Sequence, residues 1–158
     1  MKNEKIETDH MTIHQLQSDD EITAAFPLMR ELRDRLHADT FLQEVRRQEG
    51  QGYELFGAFA DGRLVALAGV RRSHTLARGE HLFIDDLVTD AAVQGRGYGS
   101  ALIRWLAVRA AEDGIPRLYL DSRNTAKGFY ERMGFTFHTS IPCSLDVSNS
   151  LAEASTTL

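Results

Sequence analysis

The stretch QGRGYG at residues 94–99 separates an apolar segment that predicts a strand from a periodic segment that predicts a helix. Glycines adopt backbone torsions that other residues resist, and they let the main chain approach a ligand closely. The free N–H groups at the start of the following helix point into one concavity, where the helix dipole adds to their attraction for anions. We therefore predict that residues 94–99 hold a phosphate or pyrophosphate. The alternative is a turn that only reverses the chain.

The segments around this turn predict an alternation of strands and helices. Residues 81–89, HLFIDDLVT, predict a strand interrupted by two acids, and residues 100–113 carry apolar side chains at helical spacing. Gly114 ends that helix, since glycine commonly follows a helix C-terminus. Three more elements are predicted beyond it: a strand at 118–121, a helix at 124–133 and a strand at 135–138.

The N-terminal half adds an antiparallel hairpin to this pattern. Asp61-Gly62 lies between two apolar runs, and Asp-Gly at such a place is a strong hairpin signal. Together the elements predict an α/β (α+β) fold. In chain order the elements of this half are a strand at 11–16, a helix at 19–36 capped by Asp19, a helix capped by Asp39 or Thr40 and ended by Gly50, and strands at 53–60 and 64–70.

The composition fits one globular domain. Of 158 residues, 42% are hydrophobic and 26% are charged, and no apolar run approaches the roughly 20 residues that cross a bilayer. We predict a domain at 11–147, between a flexible start at 1–10 and a loose tail at 148–158. The single cysteine, Cys143, excludes an internal disulfide and a cysteine-cluster metal site. These features predict a cytoplasmic protein with no metal and no membrane partner.

The charge balance argues against nucleic acid as a partner. The formal net charge is −5, and lysines and arginines form pairs rather than dense runs. Nucleic-acid binding usually needs a basic patch, because neutralisation of phosphates drives the affinity. A cationic small molecule is electrostatically the better partner, although mild acidity also simply aids solubility.

Two other phosphate-binding motifs fit the turn less well. A mononucleotide P-loop needs GxxxxGK[ST], which the chain lacks. The dinucleotide fingerprint needs GxGxxG directly after a strand, whereas here the spacing is GxGxG and residues 90–95 intervene after the strand. A dinucleotide-dependent oxidoreductase is therefore only the third choice of function.

The motifs resemble those of the GNAT superfamily of acyl-CoA-dependent N-acyltransferases. The family signature [Q/R]-x-x-G-x-[G/A] is matched by Gln94, Gly97 and Gly99, and the segment DDLVTDAA resembles the strand before it. Downstream, AKGFYERMGF at 126–135 resembles the family's AxxFYxxxGF. The resemblance spans roughly residues 53–138. It implies a mixed, mainly antiparallel central sheet with a splayed pair of parallel strands, flanked by about four helices.

The resemblance also implies where acetyl-CoA, as co-substrate, is bound. The pantetheine arm would lie in the split between the parallel strands and pair with strand backbone, while the turn would hold the pyrophosphate. Arg96, Arg123 and Lys127 are the candidates for the 3′-phosphate. The full set of cofactor-binding residues that we predict is Leu87, Val88, Thr89, Gln94, Gly95, Arg96, Gly97, Tyr98, Gly99, Ser100, Asn124 and Lys127.

Acetyl transfer to an amine needs a base, an oxyanion donor and an acid. By resemblance, Tyr130 aims its hydroxyl at the CoA sulfur, and a phenol with a pKa of about 10 is closely matched to an alkyl thiol. Asp85 and Asp86 are the candidates for the base or for amine recognition. Because strand neighbours point to opposite faces, only one of them is expected in the cleft. The alternatives are a carboxylate bound to backbone N–H groups at a bulge, and a water chain as the base.

These observations predict an N-acetyltransferase. It would transfer the acetyl group of acetyl-CoA by direct attack of a primary amine on a small molecule, a polyamine or a protein. The alternative is a non-catalytic acyl-CoA-binding module, which would need neither Tyr130 nor acids in the cleft. A homodimer is the candidate assembly.

Overall fold

The computed structural model describes residues 10–148, which form two compact units. The first unit ends at Arg123 and the second begins at Asn124. The predicted flexible start at 1–10 and loose tail at 148–158 lie outside the described residues, apart from one residue at each inner end.

A five-stranded sheet forms the centre of the first unit. Its order is β1-β2-β3-β4-β5, with antiparallel neighbours except for the parallel pair β4 and β5. This confirms the predicted fold class. The strands are β1 Met11–Gln15, β2 Tyr53–Ala60, β3 Arg63–Thr75, β4 Gly79–Thr89 and β5 Leu118–Leu120.

Within residues 10–148, four α-helices accompany this sheet and a fifth lies in the second unit. Residues 91–93 and 124–126 form short 3₁₀ turns. The helices are α1 Asp19–Ala24, α2 Phe26–Leu32, α3 Ala38–Glu49, α4 Tyr98–Glu112 and α5 Lys127–Arg132.

The helix predicted at 19–36 is instead two helices, α1 and α2. Pro27 lies in the first turn of α2 and has no N–H to donate to the carbonyl four residues back, so one continuous helix cannot pass through it. The cap of α1 is Ser18 rather than Asp19: its hydroxyl accepts the N–H of Glu21 at 3.1 Å. Likewise α3 begins at Ala38, ahead of the predicted caps Asp39 and Thr40.

The capping of α1 makes a pH-dependent contribution to stability. The N–H groups of Ser18 and Gln17 donate to the Glu21 carboxylate and lower its pKa from 4.5 to about 2. Because the folded-state pKa is the lower one, this contribution is present above pH 4.5 and is lost as the pH falls toward 2.

We expect the midpoint of urea unfolding of Glu21→Gln to fall less than that of the natural protein as the pH is lowered from 4.5 to 2. Equal slopes would contradict the assignment.

The sheet separates two hydrophobic clusters. One face packs on α1, α2 and α3 through residues such as Ile22, Phe41 and Leu67, all nearly inaccessible to solvent. The other face packs on α4, where Leu102 and Leu106 meet residues of β2, β3 and β4. The sheet is thus packed from both sides.

The parallel pair is splayed, as the resemblance implied. Strand β4 pairs with β5 only over Leu82–Ile84, opposite Leu118–Leu120. Residues 85–89 of β4 continue past the end of β5, and in the described chain no strand pairs with them on that side. On that side of β4, the backbone at 85–89 therefore has no strand partner in the described chain.

The second unit differs from its prediction in two places. The helix predicted at 124–133 is a 3₁₀ turn followed by the short α5. Residues 135–138 form no strand, because a strand needs a neighbouring strand to satisfy its backbone, and none pairs with them within residues 10–148. Phe137 is accordingly 43% exposed.

Candidate active site

The glycine-rich turn ends in a left-handed N-cap for α4. Gly97 is the N-cap, with φ of +86°, and Gly95 has φ of +82°. The first i to i−4 hydrogen bond of the helix runs from the Ala101 N–H to the Gly97 carbonyl. The N–H groups of the three residues before Ala101 therefore lie ahead of the helical ladder. This geometry fits the predicted anion site at 94–100.

The segment between β4 and the turn is held in place by local contacts. Asp90 accepts the Ala92 N–H, which lowers the pKa of this carboxyl, and it also pairs with Arg63. The Gln94 side chain donates to the Thr89 carbonyl at 3.4 Å. The turn is thereby anchored directly to the end of β4.

The open edge of β4 includes the predicted pantetheine-binding residues. Leu87 and Val88 pair through their backbones with β3 on one side, opposite Ala68 and Leu67. Leu87 packs against the α4 cluster and Val88 against the cluster on the other face of the sheet. Both side chains are thus used for packing, so a ligand at this edge meets backbone.

A β-bulge places both candidate acids in one cleft. Gly69 of β3 is paired with Asp86 and Val70 with Ile84, so Asp85 is an extra residue without a partner. Both Asp85 and Asp86 line the cleft on the α2–α3 side of the sheet. The expectation that only one would face the cleft is therefore wrong, because it assumed an unbroken strand.

Arginines hold both carboxylates. Asp86 accepts from Arg33 Nε at 2.8 Å on one oxygen and from the Tyr53 hydroxyl at 2.8 Å on the other. Asp85 accepts from Arg71 Nε, and its carbonyl accepts from Arg33 Nη2 at 2.7 Å. The bulge alternative is thus right about the bulge, but the carboxylates bind guanidinium groups rather than backbone N–H groups.

Tyr53 is a buried proton donor within this network. Its side chain is only 4% exposed, and burial, followed by the negative charge of Asp86, raises the pKa of its hydroxyl well above the usual range. Arg71 lies over the ring, 5.4 Å from its centroid. The hydroxyl therefore remains protonated and fixes the orientation of the Asp86 carboxylate.

Gly69 makes room for this tyrosine. A Cβ at Gly69 would lie 1.9 Å from the Tyr53 hydroxyl oxygen and 2.4 Å from Cζ. We expect Gly69→Ala to displace the ring, break the bond to Asp86 and destabilise the fold by about 1–3 kcal/mol. Urea unfolding measures this.

A double-mutant cycle tests the cause. If the methyl group clashes with the ring, Gly69→Ala costs much less in a Tyr53→Ala background. An equal cost in both backgrounds would show that the close approach is not the reason for glycine.

The cleft has a volume of about 590 Å³, which suits a small molecule. Four acids and four arginines line it together with apolar residues of α2 and α3. The charged members are Asp34, Glu44, Asp85, Asp86, Arg33, Arg35, Arg71 and Arg123.

Sequence reasoning missed the partners of the acids. Tyr53 begins β2, Arg71 lies on β3 and Arg33 follows α2, so no local pattern connects them. Two carboxylates in the apolar run of β4 did signal that partners must exist, since buried acids need them. The sequence did not show which arginines bind these two carboxylates.

Three predicted site residues belong to the second unit. Tyr130 is 9% exposed, with edge contacts to the rings of Phe129 and Phe135, and burial raises the pKa of its hydroxyl. It is therefore protonated at neutral pH, as a general acid must be. Asn124 starts the 3₁₀ turn, and Lys127 Nζ lies 3.9 Å from Glu131. Their roles toward CoA and the acceptor stay predictions.

Comparison with known proteins defines the class of this fold and site. The acetyltransferase (GNAT) family model matches residues 12–135, and the chain belongs to that family. An uncharacterized N-acetyltransferase of Bacillus subtilis, YhdJ, is 35% identical over 130 residues, which are 79% of this chain and 92% of that protein.

Two further similarities extend the comparison. Glucosamine 6-phosphate N-acetyltransferase of Trypanosoma brucei is 31% identical over 99 residues, 61% of this chain and 67% of that protein. The aminoglycoside N-acetyltransferase AAC(6′)-Iy, solved in complex with CoA, has the same fold. Its TM-score is 0.74 at 17% identity, over 87% of this chain and 95% of that one. Family and relatives together support an acyltransferase that transfers acetyl groups.

Within residues 10–148 we also looked for a membrane-spanning helix and for a metal site, and found neither. No helix there has the length and apolar character that crossing a membrane requires. No group of three or more histidine, cysteine or acidic side chains within that range is arranged to hold a metal ion.

Proposed function

We propose that this chain is an N-acetyltransferase that transfers the acetyl group of acetyl-CoA to a primary amine by direct attack. The acceptor amine belongs to a small molecule, a polyamine or a protein. One observation carries the proposal: the edge of β4 at 85–89 that no strand covers in the described chain continues through the 3₁₀ turn at 91–93 to the glycine-rich turn, beside a cleft lined by Asp85 and Asp86.

This chain's backbone supplies most of the cofactor site. Within 87–89, the backbone groups that point away from β3 suit the amides of the pantetheine arm, which would join the sheet like an added strand. The N–H groups at the start of α4 suit the pyrophosphate. Asn124 and Lys127 are assigned to the cofactor by the resemblance alone.

The acids of the bulge would act on the acceptor. An amine binds as its ammonium, to which the Asp85 and Asp86 carboxylates are attractive. It must give a proton to one of these carboxylates, or to a water chain, before its nitrogen can attack. As the C–N bond forms, backbone N–H groups near Leu87 stabilise the oxyanion. The C–S bond then breaks. By the resemblance alone, the Tyr130 hydroxyl would give its proton to the departing thiolate.

The relatives support a small acceptor. The Trypanosoma brucei relative is a glucosamine 6-phosphate N-acetyltransferase, so its acceptor is a phosphorylated amino sugar. A cleft of about 590 Å³ accommodates a molecule of that size. A cytoplasmic location and a homodimer remain predictions.

Thiol release tests the proposal. The purified protein, acetyl-CoA and a panel of small amines, polyamines and peptides should give CoA in proportion to acetylated amine. Calorimetry with CoA is run in parallel. Tight binding without turnover on any amine would favour the non-catalytic acyl-CoA-binding module, and absence of binding would refute both.

A further inference from the structure

We infer that the acceptor carries an anionic group in addition to its amine, and that Arg35 and Arg123 bind this group. The inference rests on the proposed function, because it names the class of acceptor for the same cleft. It assigns Arg123, which lines this cleft, to the acceptor rather than to the 3′-phosphate of CoA. The anionic group is a carboxylate or a phosphate, because both accept paired hydrogen bonds from a guanidinium group.

The balance of charge in the cleft is the first observation. The whole chain carries a formal charge of −5, yet the cleft is lined by equal numbers of acids and arginines. A cleft for a purely cationic amine would have an excess of acids, as the rest of this chain has. The local balance instead matches a molecule with charges of both signs.

The second observation is that the arginines divide into two pairs. Arg33 and Arg71 are committed to Asp86 and Asp85. Among residues 10–148, Arg35 and Arg123 have no carboxylate within ion-pair distance, and both are exposed. Arg123 donates through Nη2 to the Leu32 carbonyl at 3.3 Å. These two guanidinium groups are therefore available to a ligand.

Their place in the chain suits a second binding point. Arg35 lies in the loop after α2, and the contact to Leu32 holds Arg123 at the end of the same helix. The acids that would receive the ammonium lie on β4. Planar guanidinium groups bind carboxylate and phosphate through paired hydrogen bonds, which makes arginine the suitable residue here.

The cleft also holds two acids without an arginine partner in the described chain, Asp34 and Glu44. Asp34 and Glu44 make the summed charge of the cleft zero. An anion is therefore attracted by direct contact with Arg35 and Arg123, because the cleft as a whole carries no positive charge. The preference should therefore depend on these side chains rather than on a general positive field, and it should weaken as salt is added.

Matched amine pairs test the inference. Aminoethyl phosphate is compared with ethanolamine for the phosphate arm, and β-alanine with β-alaninamide for the carboxylate arm. We expect the anionic member of at least one pair to have a KM about tenfold lower or more, as loss of a charge-assisted hydrogen bond would give. The arm with the larger ratio identifies the anion.

Two variants locate the effect. The double variant Arg35→Gln, Arg123→Gln should abolish the preference. The single variant Arg35→Gln should reduce it and leave the KM of the neutral amines within about twofold. Arg47→Gln is the matched control, since Arg47 is an exposed arginine of α3 that does not line the cleft. It should keep the preference.

The outcomes separate this inference from the proposed function. Turnover with equal KM in both pairs, or a preference unchanged in the double variant, would overturn the inference and leave the transferase intact. Calorimetry with the four amines, in the presence of CoA, decides it without turnover. An arginine-dependent preference in binding with no thiol release would support the inference and reject the proposed transfer.

Discussion

Tyr130→Phe is expected to lower kcat by about a hundredfold or more while the Kd for acetyl-CoA stays within about twofold. The variant keeps the buried ring with its contacts to Phe129 and Phe135 and removes only the hydroxyl. General acid catalysis typically contributes 10²–10⁴-fold, so the rate should fall while cofactor binding does not. Steady-state thiol release and calorimetry give the two numbers.

Tyr119→Phe is the matched control for this variant. Tyr119 lies on β5 and makes an edge contact with the His81 ring, which phenylalanine can keep. It has no assigned role in the transfer, so its kcat should stay within about twofold of the natural value. Equal losses of kcat and of cofactor affinity in Tyr130→Phe would indicate a packing role and contradict the acid.

Gly97→Val is expected to weaken acetyl-CoA binding by about tenfold or more. A β-branched residue at φ of +86° is strained, and the turn can relieve the strain only by moving away from the left-handed conformation. That movement would turn the first N–H groups of α4 away from the pyrophosphate. The direct measurement is calorimetry with acetyl-CoA.

Gly79→Val separates strain from lost binding. Gly79, the first residue of β4, has φ of +68°, and a Cβ added at either glycine would meet no heavy atom within 4 Å beyond its chain neighbours. Both variants should therefore destabilise the fold by a similar amount, about 1–2 kcal/mol. Only Gly97→Val should affect acetyl-CoA. If the two variants weakened binding equally, the turn would have no special part in it.

Local patterns were sufficient where a structural feature depends on neighbours in the chain. The hairpin at Asp61-Gly62 and the strand at 53–60 are as predicted. The glycine-rich turn also lies between a strand and a helix, although the helix begins at Tyr98 and not at residue 100. The splayed parallel pair followed from the family resemblance. The prediction of one helix at 19–36 was wrong. It followed the apolar spacing and did not allow for Pro27, whose missing N–H interrupts the helix.

In the candidate site too, some features depend on neighbours in the chain and others on contacts between distant segments. By itself, the sequence determined that a glycine-rich turn follows β4 and that two acids precede it, because glycine torsions and strand patterning are local properties. Only the tertiary structure decided that both acids share one cleft, because the bulge arises from the pairing of β4 with β3. It also decided that Arg33, Arg71 and Tyr53 hold them. Such partners come from distant segments, and packing rather than spacing brings them together.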